Sequence, residues 1–363
     1  NGEIVISDSV QVYNKLDIGS NKPTLEDRRT VPHHLIDICP PSSTMSTGDF
    51  CRSASQVIKD ILDRGKVPVL VGGSTMWIQW LVRGIPDAPK ATPEIVEQAE
   101  QMLKEYESTQ RWDEAAEIVS SYDAVRVAKL ARNDWYRLKR LLAIGLQLTS
   151  NTPPPIENSS SSTSSTSVTR ERSPCESLLD GTRRGNLPGM NIDFRTVFVS
   201  EDRTHLYHTI DRRCVDMLQL GHFSEVCQLL LDEVLRPEFP VSKSIGYRQT
   251  INLLAAGADG NGPPEEITST DFLEYLQLFT TATRNYAKRQ LNWYRKDDSF
   301  LFVSMDRQSR SKETAYAHMA EEIWHWATVP REEFEQVTTR QVELNAALQE
   351  LRSRKHVSPT YLP

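Results

Sequence analysis

Two short apolar runs constrain the fold of this chain more than any other feature. Ile4-Val5-Ile6 is unbroken and β-branched, and Val67-Pro68-Val69-Leu70-Val71 is a second run of similar character. Unbroken runs of this kind mark strands buried on both faces, the sort that build parallel sheets. Between them, from Ser46, the period changes. Ser46-x-x-Asp49 has the form of a capping box, and Phe50, Ala54, Val57, Ile58 and Ile61 recur at helical spacing. Gly65 stands where a left-handed cap belongs. Leu35-Ile36-Asp37-Ile38 is a weaker strand candidate. Strand, helix and strand in this order predict a βαβ unit, hence an α/β fold with a parallel sheet and a right-handed crossover. Ligands of such sheets bind beyond the carboxyl ends of the strands. Asp8 leaves the first run and Gly72-Gly73 leaves the second, so both fall on that edge.

The 363 residues suffice for about two domains with cores of their own. Residues 1–90 form the first part of the α/β core. Residues 91–150 turn helical and charged, with "PEIVEQAEQMLKEYE" and "WYRLKRLLAIGLQL" as the clearest pieces. Residues 151–190 are Ser/Pro-rich and nearly free of apolar side chains, so they cannot offset ordering entropy and are expected to be disordered. Residues 191–303 return to the core. There "FRTVFVS" reads as a strand and "THLYHTIDRRCVDMLQLG" as a helix ending at Gly221. A further helix is expected from Asp271, capped by Asp271-x-x-Glu274, to about Arg295. Residues 304–363 hold charged helices, read either as a dimer surface or as a solvated appendage.

The net charge of −7 gives no global basic field, so any polyanion contact must come from local clusters of Lys and Arg. Five cysteines without a C-x-x-C pair fit reduced thiols better than a secreted disulfide framework. No stretch approaches roughly 18 consecutive apolar residues, and no membrane span is expected. The first residue is not Met and already belongs to a strand, so the expectation is a fragment with any targeting segment upstream.

Three stretches carry candidate chemistry. In "DFLEYLQLFTTATRNYAKRQLNWYRK" the apolar residues Phe272, Leu276, Phe279, Ala282, Tyr286 and Trp293 share one face. Arg284, Lys288 and Arg295 lie within about 40° of one another on another face. This stripe reads as a solvated face or as a phosphate rail, because like charges on one face repel unless an anion neutralises them. In "SKSIGYRQT" Arg248 follows a turn that opens a helix, where a guanidinium adds a two-pronged donor to backbone N–H groups already favourable to anions. It reads equally as a snorkelling side chain. Asp8 has three readings: a structural carboxylate, a Mg²⁺-associated acid or a general base. His33-His34 invites a metal reading, but neighbours in a strand point to opposite faces, so no metal ligand is assigned.

Taken together, "GEIVISDSVQVYNKLDIGSNKP", "VPHHLID", "PVLVGGS", "NDWYRLKR", "IGYRQ" and "TRNYAKRQLNW" resemble the tRNA dimethylallyltransferase (isopentenyltransferase) family. They stand in the family's order and cover most of residues 1–90, 133–150 and 195–297. The short spacers and "NDWYRL" resemble its bacterial-like, organellar branch. The resemblance implies a P-loop-kinase-like parallel sheet core with a helical insertion that grips the tRNA anticodon arm. It implies transfer of a dimethylallyl group from its diphosphate to N6 of the adenosine next to the anticodon. By the same resemblance Asp8 is the general base, and Ser9, Val10 and Gln11 line the pocket of a flipped base. Gly72, Gly73 and Ser74 complete the substrate edge, and Arg248 holds the diphosphate with Mg²⁺. Tyr136, Arg137, Arg140, Arg284, Lys288 and Arg289 contact tRNA. A monomer is expected, in a plastid, a mitochondrion or the cytoplasm.

Departures from the family pattern are few. Ser74 stands for the usual Thr, Ala143 for Glu and Lys243 for Arg, and "GGSTMW" replaces G-G-T-x-x-Y. The family's P-loop, G-x-x-x-x-G-K-[ST], is absent from these residues and is expected upstream. Two other readings stay open: an adenylate isopentenyltransferase of cytokinin biosynthesis acting on free AMP, ADP or ATP, and an inactive tRNA-binding homologue.

Overall fold

A computed structural model describes residues 1–84, 91–150, 186–187, 190–256, 267–295, 297–305 and 311–355. The chain divides into two compact units, 1–83 with 185–363 and 84–184.

The first unit opens with the expected βαβ arrangement. Strand β1 (Gly2–Ser7) is followed by α1 (Leu25–Thr30), β2 (His33–His34), α2 (Thr47–Asp63), β3 (Val67–Gly72) and α3 (Thr75–Arg83). The strands run parallel in the order β2-β1-β3, and Ser7 is level with Gly72. Helix α2 starts where its capping box says: Ser46 Oγ takes the Asp49 N–H, and the Asp49 carboxylate returns the bond to the cap. Its apolar stripe buries Phe50, Cys51, Ala54, Ile58 and Ile61 against Val5, and Phe50 stacks on Trp77 of α3 at 4.3 Å.

The strand expected at 35–38 does not form. Leu35 and Asp37 have φ of +62° and +58°, incompatible with an extended ladder. The Asp37 carboxylate, fixed by Lys22 and Arg28 at 2.5 and 2.6 Å, holds the turn instead, and the pairing strand lies two residues earlier, at His33–His34. β3 also differs from a doubly buried strand. Leu70 faces the core, but Val67, Val69 and Val71 are 45–50% exposed on the other face.

The second unit consists of α4 (Pro93–Ser108), α5 (Trp112–Val127) and α6 (Trp135–Ser150). They close on a core of Leu103, Trp112, Val119, Trp135, Leu138 and Leu142, with Trp112 edge-on to Trp135 at 5.1 Å. Most of the Ser/Pro-rich stretch lies outside the described residues. Those described there are a short antiparallel pair, β4 (Asn186–Leu187) and β5 (Met190–Asn191).

That pair belongs to the first unit, which continues with β6 (Thr196–Ser200), α7 (Arg203–Gln219), α8 (His222–Leu231), α9 (Tyr247–Ala256), α10 (Ser269–Tyr294), β7 (Phe300–Ser304), α11 (Lys312–Thr328) and α12 (Arg331–Lys355). β6 and β7 pair in parallel. Helix α10 begins two residues before the expected Asp271. Thr268 is the cap and Asp271 its reciprocal N3 partner, because a hydroxyl in extended backbone can accept the N3 amide while the acid reaches back. The tail helices pack on the sheet: Phe334 of α12 joins Leu301 and Val303, and the Gln341 side chain bonds both the N–H and the C=O of Phe302.

Phe50 is fully buried in the largest cluster. Phe50→Ala is expected to lower unfolding stability by about 3–5 kcal/mol, read by denaturant titration.

Candidate functional site

The exit of β1 is built around Asp8. Its Oδ1 accepts the N–H groups of Val10 (2.8 Å) and Gln11 (3.2 Å), an Asx turn that reverses the chain as it leaves the sheet. Among the described residues Oδ2 takes no hydrogen bond, so one carboxylate oxygen is oriented and the other is left open. The neighbouring exit is locked to this one. Ser74 Oγ accepts the Ser9 N–H at 3.0 Å, and the Ser74 N–H donates to Ser7 O at 3.3 Å. A Cβ on Gly72 would lie 2.0 Å from the Ser7 carbonyl oxygen, so only glycine permits this approach. The Gln11 side chain turns inward to the carbonyls of Ser20 (3.0 Å) and Asn21 (3.2 Å). Asp8, Ser9, Gly72 and Ser74 thus meet on one edge as the sequence predicts.

Helix α10 closes on this edge from above. Tyr286 Oη and Gln290 Nε2 both donate to the Gly73 carbonyl, at 3.2 and 3.0 Å. A Cβ on Gly73 would meet Gln290 Nε2 at 1.9 Å. Tyr286 is 38% exposed, and desolvation by the groups around it and then the Asp8 charge raise its pKa. The guanidinium of Arg289 lies 5.9 Å from the Tyr286 ring centre. Arg289 and Arg248, the latter at the start of α9, line one cleft of about 840 Å³ between α9 and α10. Its wall also carries Asp271 and Glu274, Asn252 and Asn285, and the apolar Ile245, Leu253 and Leu278.

The basic stripe of α10 divides. Arg284 pairs with Asp211 of α7 at 2.8 Å and lies 5.7 Å from the Tyr207 ring, so the protein itself supplies the counter-charge there. Among the described residues Lys288, Arg289 and Arg248 have no ion pair. In the second unit, α6 buries Trp135, Leu138 and Leu142 and turns Tyr136, Arg137 and Arg140 to solvent, Tyr136 at 74% exposure. Arg137 leans on the Asp134 carboxylate (2.5 Å), while Arg140 has no ion pair among the described residues. His33 and His34 turn to different partners, Val31 O and the Glu3 carboxylate, both at 2.7 Å.

The loop after Asp8 has anchors that no motif announced. The Lys22 ammonium, 1% exposed, donates to Tyr13 O, Asp17 and Asp37. The Glu225 carboxylate accepts the N–H groups of Asp17, Ile18 and Gly19 and the hydroxyl of Tyr247. Sequence reasoning missed Glu225 because a lone acid in the first turn of a helix signals only the helix dipole. Tyr286 and Gln290 stood inside the quoted "TRNYAKRQLNW", yet their target, a backbone carbonyl, has no sequence signature.

The IPP transferase family model matches residues 11–297. The chain belongs to the IPP transferase family. It is 37% identical over 85% of its length to tRNA dimethylallyltransferase 9 of Arabidopsis thaliana, of which it spans 66%. It is 33% identical over 84% of its length to the tRNA dimethylallyltransferase of Protochlamydia amoebophila, covering 77% of that protein. A solved structure of a eukaryotic dimethylallyltransferase acting on tRNA superposes with a TM-score of 0.63 at 22% identity, covering 90% of this chain and 74% of that one. The fold is therefore the P-loop-kinase-like one of this family. Among the described residues no helix is long and apolar enough to cross a membrane, and no group of three or more His, Cys, Asp or Glu could hold a metal ion.

Against the desolvation that raises it, the neighbouring His222 first, then the Ile18 and Gly19 amides and the Tyr247 hydroxyl, hold the Glu225 carboxyl down at about 2. The folded value lies below the unfolded one, so this stabilisation is complete above about pH 4.5 and disappears as pH falls towards about 2. It amounts to something on the order of 3 kcal/mol. Thermal midpoints measured from pH 7 down to pH 3 are expected to fall more steeply for the natural chain than for Glu225→Gln.

Proposed function

We propose that this IPP transferase moves the dimethylallyl group of dimethylallyl diphosphate to N6 of the adenosine next to the anticodon of a tRNA. The observation that carries the reading is the half-open carboxylate of Asp8, held by backbone N–H groups at Oδ1 and, among the described residues, without a hydrogen bond at Oδ2.

An exocyclic adenine amine is a weak nucleophile, since its lone pair is drawn into the ring. It gains strength when a base removes its proton as the new bond forms. In the proposed step the N6–C1 bond forms, the C1–O bond to the diphosphate breaks with its electron pair going to oxygen, and the N6 proton passes to Asp8 Oδ2. The leaving charge needs fixed positive groups, and the guanidiniums of Arg248 and Arg289, which share a cleft, supply them. The base must leave its stack to reach the sheet edge. Ser9, Val10 and Gln11, on the turn that Asp8 organises, would line its pocket. A Mg²⁺ ion arriving with the diphosphate suits the hard oxygen donors here, the Ser9 and Ser74 hydroxyls, and needs no all-protein cage. When bound it would neutralise part of the leaving charge.

The exposed Tyr136, Arg137 and Arg140 of α6 favour tRNA over a free adenine nucleotide, because a mononucleotide has no second set of phosphates for them. With the full-length protein, Asp8→Asn is expected to lower kcat about 10²- to 10⁴-fold with tRNA still bound. Undiminished turnover, or transfer to AMP but not to tRNA, would contradict the proposal. The double variant Arg137→Ala, Arg140→Ala is expected to weaken tRNA binding and flatten its salt dependence by between one and two counterions, leaving KM for dimethylallyl diphosphate unchanged.

A further inference from the structure

We propose that Glu225 is a positioning residue: its carboxylate fixes the turn bearing Asp8 and the helix bearing Arg248 in one register. The proposal rests on the prenyl-transfer reading above and adds a residue to it.

The side chain of Glu225 is 9% exposed and sits where three segments meet. Oε2 accepts the N–H groups of Asp17 and Ile18 at 2.8 and 2.7 Å, and Oε1 accepts the Gly19 N–H at 3.0 Å. Three successive amides converging on one carboxylate make a nest that only an anion satisfies. The segment so held continues into Ser20 and Asn21, whose carbonyls receive the Gln11 side chain, and the Gln11 N–H is in turn bound by Asp8 Oδ1. In the other direction Oε1 accepts the Tyr247 hydroxyl at 2.9 Å, and Tyr247, fully buried, is the residue before Arg248.

A second buried string runs alongside. His222, on the same helix and wholly buried, has Nε2 at 3.2 Å from Thr250 Oγ1, which lies 3.0 Å from Tyr275 Oη on the wall of the Arg248 cleft. The fit leaves no slack. A Cβ on Gly19 would meet His222 Cε1 at 2.5 Å and Tyr247 Cζ at 2.7 Å. Hydrogen bonds thus link one carboxylate to the segment that holds the Asp8 turn and to the residue before Arg248, and a displacement near an ångström between reacting groups is enough to slow a transfer about 100-fold.

Glutamine has the same shape but offers one acceptor oxygen and turns an NH₂ towards N–H donors. Glu225→Gln therefore tests charge and acceptor count at nearly constant volume. In the full-length protein, at a temperature well below the variant's melting midpoint, kcat for tRNA prenylation is expected to fall at least 10-fold. Tyr247→Phe cuts only the link towards Arg248. It is expected to raise KM for dimethylallyl diphosphate several-fold while KM for tRNA stays put, and it carries the test if Glu225→Gln does not fold. A role confined to stability would lower the melting midpoint and leave kcat and both KM values of the folded molecules at wild-type level; that result, with an active wild type, overturns the proposal alone. A wild-type protein that transfers nothing to tRNA overturns the prenyl-transfer reading, and this proposal with it.

Discussion

The whole site depends on one close approach, that of Gly72 to the Ser7 carbonyl. Where β1 and β3 end side by side, the backbones come together so tightly that a methyl group on Gly72 would overlap the Ser7 oxygen. Two strand exits that would otherwise splay are bonded as one edge through Ser74, and Asp8 and Gly73 emerge next to each other. Everything chemical is then layered on this edge. Helix α10 reaches it because Gly73 has a bare carbonyl and no side chain, which gives Tyr286 and Gln290 somewhere to land. Packing at van der Waals limits decides the placement here, and hydrogen bonds only register it.

Charge follows a second pattern, in which some cations are neutralised inside the fold and others are left without an ion pair among the described residues. Glu3, buried in β1, is surrounded by Arg64, Lys66 and His34, and their hydrogen bonds hold its carboxyl far below the usual range. Lys22 is consumed by two carboxylates and Arg284 by Asp211. Among the described residues Arg248, Lys288, Arg289 and Arg140 have no such partner. A chain of net charge −7 can thus present local cations to a polyanion, since screening confines each field to about 8 Å at physiological salt.

How much of this could be read from the residues alone varied with range. The α2 capping box, the Gly65 cap and the two strand exits were legible because each depends on neighbours within a few positions, where the period of the chain and the chemistry of a cap act directly. The site edge followed from strand topology. The turn at 35–38 was misread as strand because its apolar residues satisfy a strand pattern, while the ion pairs from Lys22 and Arg28 that bend it come from 9 to 15 residues away. The partner of Arg284 was illegible for the same reason: Asp211, which pairs with it, is 73 positions away. Glu225 and Gln290 act on backbone atoms more than 200 residues distant, and backbone atoms leave no trace in a side-chain pattern.

This difference in range also separates the two halves of the chemistry. The Asp8 turn is a local construction, since its carboxylate bonds the amides two and three positions further on. The cationic half is a tertiary construction. Arg248 and Arg289 belong to helices whose connection lies largely outside the described residues, and they share a cleft because α9 and α10 pack against each other. Small changes in core packing would therefore reach the cleft between α9 and α10 first and leave the Asp8 turn intact. The proposed proton acceptor is thus fixed by contacts within three residues, while the proposed cation pair depends on helix packing across the first unit.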